Sequence, residues 1–148
     1  LGHNFRLTNI QAAIALAQVE RIAEIVSRKR WIGQSYTEQL SEISGLQLPV
    51  EKPWAKQVYW MYGVVLDEAV GLSASEFGAR LRELGVETRP FFLGMHEQPA
   101  LADLAFFPGV EYPVAERLSR QGLYLPSGLA LTKSQLDKVC QAVRQTIS

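Results

Sequence analysis

The chain has one cysteine, Cys140, in 148 residues, and two histidines, His3 and His96. A single thiol excludes an internal disulfide and a cysteine metal cluster. Two histidines are too few for a self-contained histidine metal site, so no metal is expected. Net charge is missing as well: 15 Lys and Arg balance 15 Asp and Glu. That leaves no basic surplus for nucleic acid and no acidic block of the kind that stays disordered. No run of 18 apolar residues exists, so no membrane-spanning helix is expected. No signal peptide is visible, and the cytoplasm is the expected compartment. There is no initiator methionine, which suggests a fragment, a processed chain or a trimmed one. The sequence also lacks a G-x-S-x-G elbow, a P-loop, a G-x-G-x-x-G turn and an H-E-x-x-H helix.

What is present is an apolar fraction of 47%, enough for one domain that buries roughly 68–70% of its unfolded surface. Three helix starts share one grammar. Thr8 with Gln11, Ser73 with Glu76 and Thr132 with Gln135 each form an S/T-x-x-E/Q box. The first side chain accepts from an orphan backbone N–H, and the second reaches back to the cap. The first box opens an apolar helix whose Ala12, Ala13, Ala15 and Ala17 suit close contact with another surface. The pattern changes phase around Glu20 to Ala23. Ile25, Ile32, Tyr36, Leu40 and Ile43 then mark the stripe of a second helix, with Gly45 as its cap. Arg28, Lys29 and Arg30 form the densest charge run and read as a solvated face of that helix.

Short strands are expected at Leu46–Leu48 and Val86–Arg89, each stopped by a proline, and at Leu123–Leu125. A longer central strand is expected over Gln57–Leu66, rich in aromatic and β-branched residues. The second boxed helix points Phe77, Leu81 and Leu84 inward and ends at Gly85. A short helix covers Val114–Gln121. The last helix carries Leu136, Val139, Cys140, Val143 and Ile147 on one side, which makes Cys140 a core residue. Residues 91–112 read as irregular, a length that marks a functional segment or one built against a partner. The simplest solution is an α+β domain: a small, mostly antiparallel sheet with helices packed on one face.

Two polar clusters have chemical capacity. Asn4 and Arg6 precede the helix capped by Thr8, where free N–H groups and the dipole favour a phosphate or carboxylate; plain helix-entry capping also accounts for them. In TRPFFLGMHEQPA, Arg89 offers a cation, Phe91 and Phe92 flat faces, and Met95 and His96 follow Gly94. A cation beside exposed aromatics suits a nucleotide or sugar, whereas a hydrophobic plug over the sheet is the structural alternative.

At this point four stretches become informative together. GHNFRLTNIQAAIALAQVERI resembles the G-[HY]-N-[FY]-R-[ML]-T-[ND]-[IL]-Q-A-A segment of the DegT/DnrJ/EryC1/StrS nucleotide-sugar aminotransferases. VYWMYGVVL, ETRPFFLGMHEQPA and AERLSRQGLYLPSGLALT are similar to three further family segments, in the same order. The resemblance covers essentially the whole chain, and VYWMYG is closer to the perosamine-synthase branch.

It implies the C-terminal small domain of a fold-type I, aspartate aminotransferase-like enzyme that uses pyridoxal 5'-phosphate. Residues 1–22 would link to a large cofactor-binding domain outside this chain, and residues 23–148 would form the small domain. The reaction implied is transfer of an amino group from an amino acid, glutamate in most members, to a nucleotide-linked keto sugar. The lysine that carries the cofactor as a Schiff base lies upstream in such enzymes. None of Lys29, Lys52, Lys56, Lys133 or Lys138 sits in its context, so no catalytic residue is expected here. Asn4 matches an asparagine that reaches the cofactor phosphate of the neighbouring subunit of a homodimer, and Arg6 lies near that shared site. Arg89, Phe92, Met95 and His96 would line the nucleotide-sugar pocket. Gly94 stands where the family often has proline, which should loosen the turn before His96. Two other roles stay open: a non-catalytic dimerisation or sugar-nucleotide-binding module, and part of a related dehydratase with histidine in place of the lysine.

Overall fold

All three S/T-x-x-E/Q boxes open helices in the computed structural model, which describes residues 5–102, 107 and 109–147. Thr8 caps α1 (Asn9–Glu20) and Ser73 caps α3 (Ala74–Glu83), each with both reciprocal bonds made. Thr132 accepts from the Gln135 N–H at 3.3 Å ahead of α6 (Lys133–Ile147), and Gln135 accepts from the Thr132 N–H at 2.8 Å. The phase change is a real break: α1 ends at Glu20 with Arg21 as its cap, and α2 (Ile22–Leu40) starts after it.

Between α2 and α6 lie β1 (Leu46–Gln47), β2 (Tyr62–Leu66), β3 (Arg89–Pro90), α4 (Pro99–Ala102), α5 (Pro113–Gln121) and β4 (Gly122–Leu125). The described strands form one sheet in the order β1-β2-β4-β3, with every neighbouring pair antiparallel. Strand alternation gives the sheet two different faces. Tyr62, Val64 and Leu66 of β2 and Leu123 and Leu125 of β4 enter the core. Ile32, Tyr36 and Leu40 of α2, Phe77 and Leu81 of α3, and Leu136, Val139, Cys140 and Val143 of α6 pack there with them. Full burial of each large side chain is worth about 1.5–3 kcal/mol. The opposite face carries Gly63 and Tyr124, with the Phe91 ring lying over Gly63 and Gly122. The expected architecture of helices on one face of a small antiparallel sheet is therefore present.

Several expectations need correction. The central strand covers Tyr62–Leu66, not Gln57–Leu66. Tyr59 has φ +49, a left-handed conformation that no strand accommodates. Its ring packs on Gly33 and stacks on Tyr62 at 6.0 Å, so side-chain packing overrides the strand pattern. The strand expected over Val86–Arg89 is Arg89–Pro90. Val86 instead completes the end of α3: its N–H reaches the Leu81 carbonyl while Gly85, at φ +77, donates to Arg82. That is a Schellman closure, and Val86 and Leu81 are both buried. Likewise α2 ends before Ser41, and Gly45 (φ +80) serves the turn into β1 rather than capping the helix. Residues 91–112 are not wholly irregular, since Met95–Glu97 form a 3-10 turn ahead of α4.

The largest correction concerns Arg28, Lys29 and Arg30. They are not a solvated face. Arg28 donates to the carbonyls of Leu129 and Leu131. Lys29 donates to Trp60 at 2.9 Å and to Ser127 at 2.5 Å. Arg30 donates to the Gln57 carbonyl and grips Glu51 with two bonds, at 2.8 and 3.1 Å. Successive positions on a helix point in different directions. Three consecutive cations can therefore reach two separate loops, one before β2 and one after β4.

Candidate functional site

β3 and β4 build the candidate site from the edge of the sheet inward. Arg89 lies opposite Tyr124 in the antiparallel register. An open cavity of about 550 Å³ is lined by Glu87, Thr88, Arg89, Tyr124, Met61, Ser127 and Gly128, and the Glu87 carboxylate is paired with Arg82 at 3.4 Å. Tyr124 is the organising ring. Phe91 stacks on it at 4.5 Å, and Phe92 approaches it at 6.1 Å, tilted by 58°. Phe91 is half-buried against Gly63, where an added Cβ would lie 2.7 Å from its Cζ. Phe92 stays 70% exposed. Of the two phenylalanines, the first is thus the plug over the sheet and the second is the ring available to a ligand. A guanidinium, exposed aromatic faces, hydroxyls and glycine backbone can together hold a phosphorylated or planar molecule.

The other expected residues fall elsewhere. Asn4 lies outside the described residues. Arg6 is exposed in the segment entering α1. Met95 is 64% exposed. The His96 side chain is only 11% exposed and turns toward α5, its ring 4.8 Å from that of Tyr112. Its Nε2 stands 3.4 Å from Glu116 and 3.9 Å from Glu97, and both carboxylates also meet Arg120. The Tyr112 N–H, followed by Arg120 and His96, holds the Glu116 carboxyl below its ordinary range. The structure thus brings Arg89 and Phe92 together around Tyr124, while His96 belongs to a polar cluster with α5. The φ of −57 at Gly94 would suit most residues, but a Cβ there would lie 2.6 Å from His96 Cε1, so glycine makes room for the imidazole.

Tyr124 was missed in the sequence reading, although a signal existed: it alternates with inward Leu123 and Leu125, so it must face outward. Lys29 was missed because its partners are remote in sequence.

The described residues by themselves do not fit pyridoxal phosphate held on a lysine. Lys29 is occupied by two carbonyls, and Lys133 pairs with Asp137 at 3.0 Å. Lys138 lies over Gly85, and Lys52 and Lys56 sit in the exposed loop before β2. None of them lines the Arg89 cavity. Among the described residues no group of three or more His, Cys, Asp or Glu side chains is placed to hold a metal. No described helix is long and apolar enough to cross a membrane.

Comparison with known proteins places this arrangement in context. A model of the DegT/DnrJ/EryC1/StrS aminotransferase family matches residues 1–144. GDP-perosamine synthase of Caulobacter vibrioides is 37% identical over 152 aligned positions, covering 99% of this chain and 39% of the relative. GDP-perosamine synthase of Escherichia coli O157:H7 is 31% identical, covering 100% of this chain and 38% of the relative. The crystal structure of S. venezuelae DesV in complex with a ketimine intermediate superposes with a TM-score of 0.87 at 28% identity. That match covers 99% of this chain and 38% of DesV. The chain therefore spans about two fifths of the length of the relatives it matches.

Proposed function

The chain belongs to the DegT/DnrJ/EryC1/StrS aminotransferase family, and from that premise we propose that it is the small-domain part of a sugar aminotransferase using pyridoxal 5'-phosphate. The whole protein moves an amino group from an amino acid, with glutamate as the donor, to a nucleotide-linked keto sugar. The observation that carries the reading is the cavity lined by Arg89 and Tyr124, with the exposed Phe92 ring 6.1 Å from that of Tyr124. Arg89 supplies the charge for a diphosphate. Phe92 and Tyr124 supply apolar faces, and the Ser127–Gly128 backbone allows close approach.

In this reading residues 1–22 connect to a larger domain and residues 23–148 form the small domain. The cofactor supplies the electron sink for amino transfer when bound by the larger domain. This chain's own residues bind and orient. Asn4 and Arg6 contribute to the cofactor site of a second copy in a homodimer, and Arg89, Phe92 and Met95 hold the nucleotide-sugar. His96 acts through its contacts with Glu116 and Tyr112, fixing the segment that presents Phe92 and Met95. The enzyme works in the cytoplasm on a soluble substrate.

A second reading is a non-catalytic nucleotide-sugar-binding module, in which the same Arg89 cavity binds without turnover. One assay separates the two. The whole protein containing this chain is supplied with pyridoxal phosphate, glutamate and a GDP-linked 4-keto sugar, and amino-sugar formation is followed by mass spectrometry. Product formation that weakens with loss of cofactor retention in Asn4→Ala supports the aminotransferase reading. Nucleotide binding without turnover supports the module. The 148-residue chain alone, mixed with pyridoxal phosphate and reduced with borohydride, should carry no adduct confined to one lysine. A stoichiometric adduct there would overturn the division of labour.

A further inference from the structure

Lys29 lies on α2, outside the cavity around Arg89, yet it bonds to both sides of it. Its Nζ donates to the carbonyl of Trp60, the residue before Met61, and to the carbonyl of Ser127, the residue before Gly128. Met61, Ser127 and Gly128 all line the cavity. An ammonium group has three donors, and here two are spent on loops far apart in the chain. The Trp60 carbonyl is available because the chain turns at Tyr59, whose φ of +49 takes Trp60 out of the strand. On the other side, the preceding Pro126 carbonyl accepts from the Tyr36 hydroxyl at 2.7 Å. Arg28 and Arg30 fasten the outer parts of the same two loops, at Leu129, Leu131 and Gln57.

We propose that Lys29 is a positioning residue, which sets the separation of the Trp60–Met61 and Ser127–Gly128 walls of the Arg89 cavity and so its affinity for a nucleoside diphosphate. The proposal rests on the reading of that cavity as the nucleotide-sugar contact surface. Partial burial disfavours the charged form of Lys29, lowering its pKa. A lysine serving solubility alone would extend into water and avoid that cost. Two carbonyl dipoles offset it, at the price of a fixed geometry. The unbranched side chain also matters: a shorter one cannot span from α2 to both loops at once.

The test uses the whole protein and two readouts. The first is amide hydrogen exchange, read by mass spectrometry, over residues 58–61 and 126–131. The second is the Kd for GDP, UDP and dTDP by calorimetry, carrying forward the tightest binder of the wild type. In Lys29→Met, exchange in both loops should rise roughly tenfold while β2 and β4 stay protected, and Kd should weaken by about tenfold. Lys29→Arg, which keeps charge and reach, should restore most of both. If Lys29→Met does not fold, Lys29→Gln, one bond shorter and still a donor, should loosen both loops. Unchanged exchange in both loops would overturn the positioning role. Loosened loops with an unchanged Kd would overturn the link to binding. A wild type that binds none of the three nucleotides would instead overturn the reading of the cavity, while the exchange result still decides whether Lys29 holds the loops.

Discussion

Gly33 sits in the middle of α2, where alanine is ordinarily favoured by about 0.5–1 kcal/mol. At this position the preference reverses, because a Cβ would overlap the Tyr59 ring. The ring cannot retreat easily: it is buried, stacked on Tyr62 and carried by a left-handed backbone. Gly33→Ala should therefore destabilise the chain by about 1–3 kcal/mol, the cost of overpacking, measured by urea unfolding. A stabilised variant would mean that Tyr59 moves freely. Cys140 supplies a second residue-level test. Burial pushes its thiol up to about 11, and the thiolate is the reactive form. Near pH 8 the folded chain should resist Ellman's reagent, with reaction following unfolding in guanidinium. Rapid labelling of the folded chain would show that the α6 face is open.

At the scale of elements, α6 contributes Leu136, Val139, Cys140 and Val143 to the core as its 3.6-residue period predicts. Leu136→Ala should cost about 2–5 kcal/mol as a core truncation, read from the denaturation midpoint. The loop before β2 depends on charge instead. Glu51 accepts from Arg30 and from the Gln57 N–H, and the Arg30 bond chiefly holds its carboxyl below the ordinary 4.5. A carboxyl whose folded pKa is depressed contributes stability above its unfolded pKa and loses it as pH falls through the folded value. The clasp should hold at neutral pH and down through 4.5, and open only below that. A carboxyl-carbon NMR titration of Glu51 checks this, and a midpoint at or above the ordinary value would show that the clasp does not form in solution. The helices were legible because caps and periodicity act within one or two turns. The start of β2 was not, because Trp60 and Gln57 give their carbonyls to α2.

At the scale of the molecule, α1 stands apart. It has no buried residue, and Ile10, Ile14, Leu16 and Val19 are all exposed. A helix apolar on all sides is one that a larger assembly covers. Alone, the 148-residue chain should self-associate through this surface. Among the described residues none of 5–21 belongs to the core, so a chain without residues 1–21 should fold with an unchanged midpoint and sediment as a smaller species. Equal association with and without α1 would place the sticky surface elsewhere, with the exposed Trp54 and Trp60 next in line.

Sequence alone determined the capped helices, the antiparallel α+β class and the family resemblance, since each rests on short-range spacing or on residue order. It also picked out Arg89 and Phe92, which stand within a few positions of one another. Tertiary structure alone decided that Tyr124 joins them, that His96 turns to α5, and that Lys29 faces inward. The physical reason is distance along the chain. Lys29 meets acceptors 31 and 98 residues away, and no local pattern encodes a partner that only the packing of α2 against both loops brings within reach of an ammonium group.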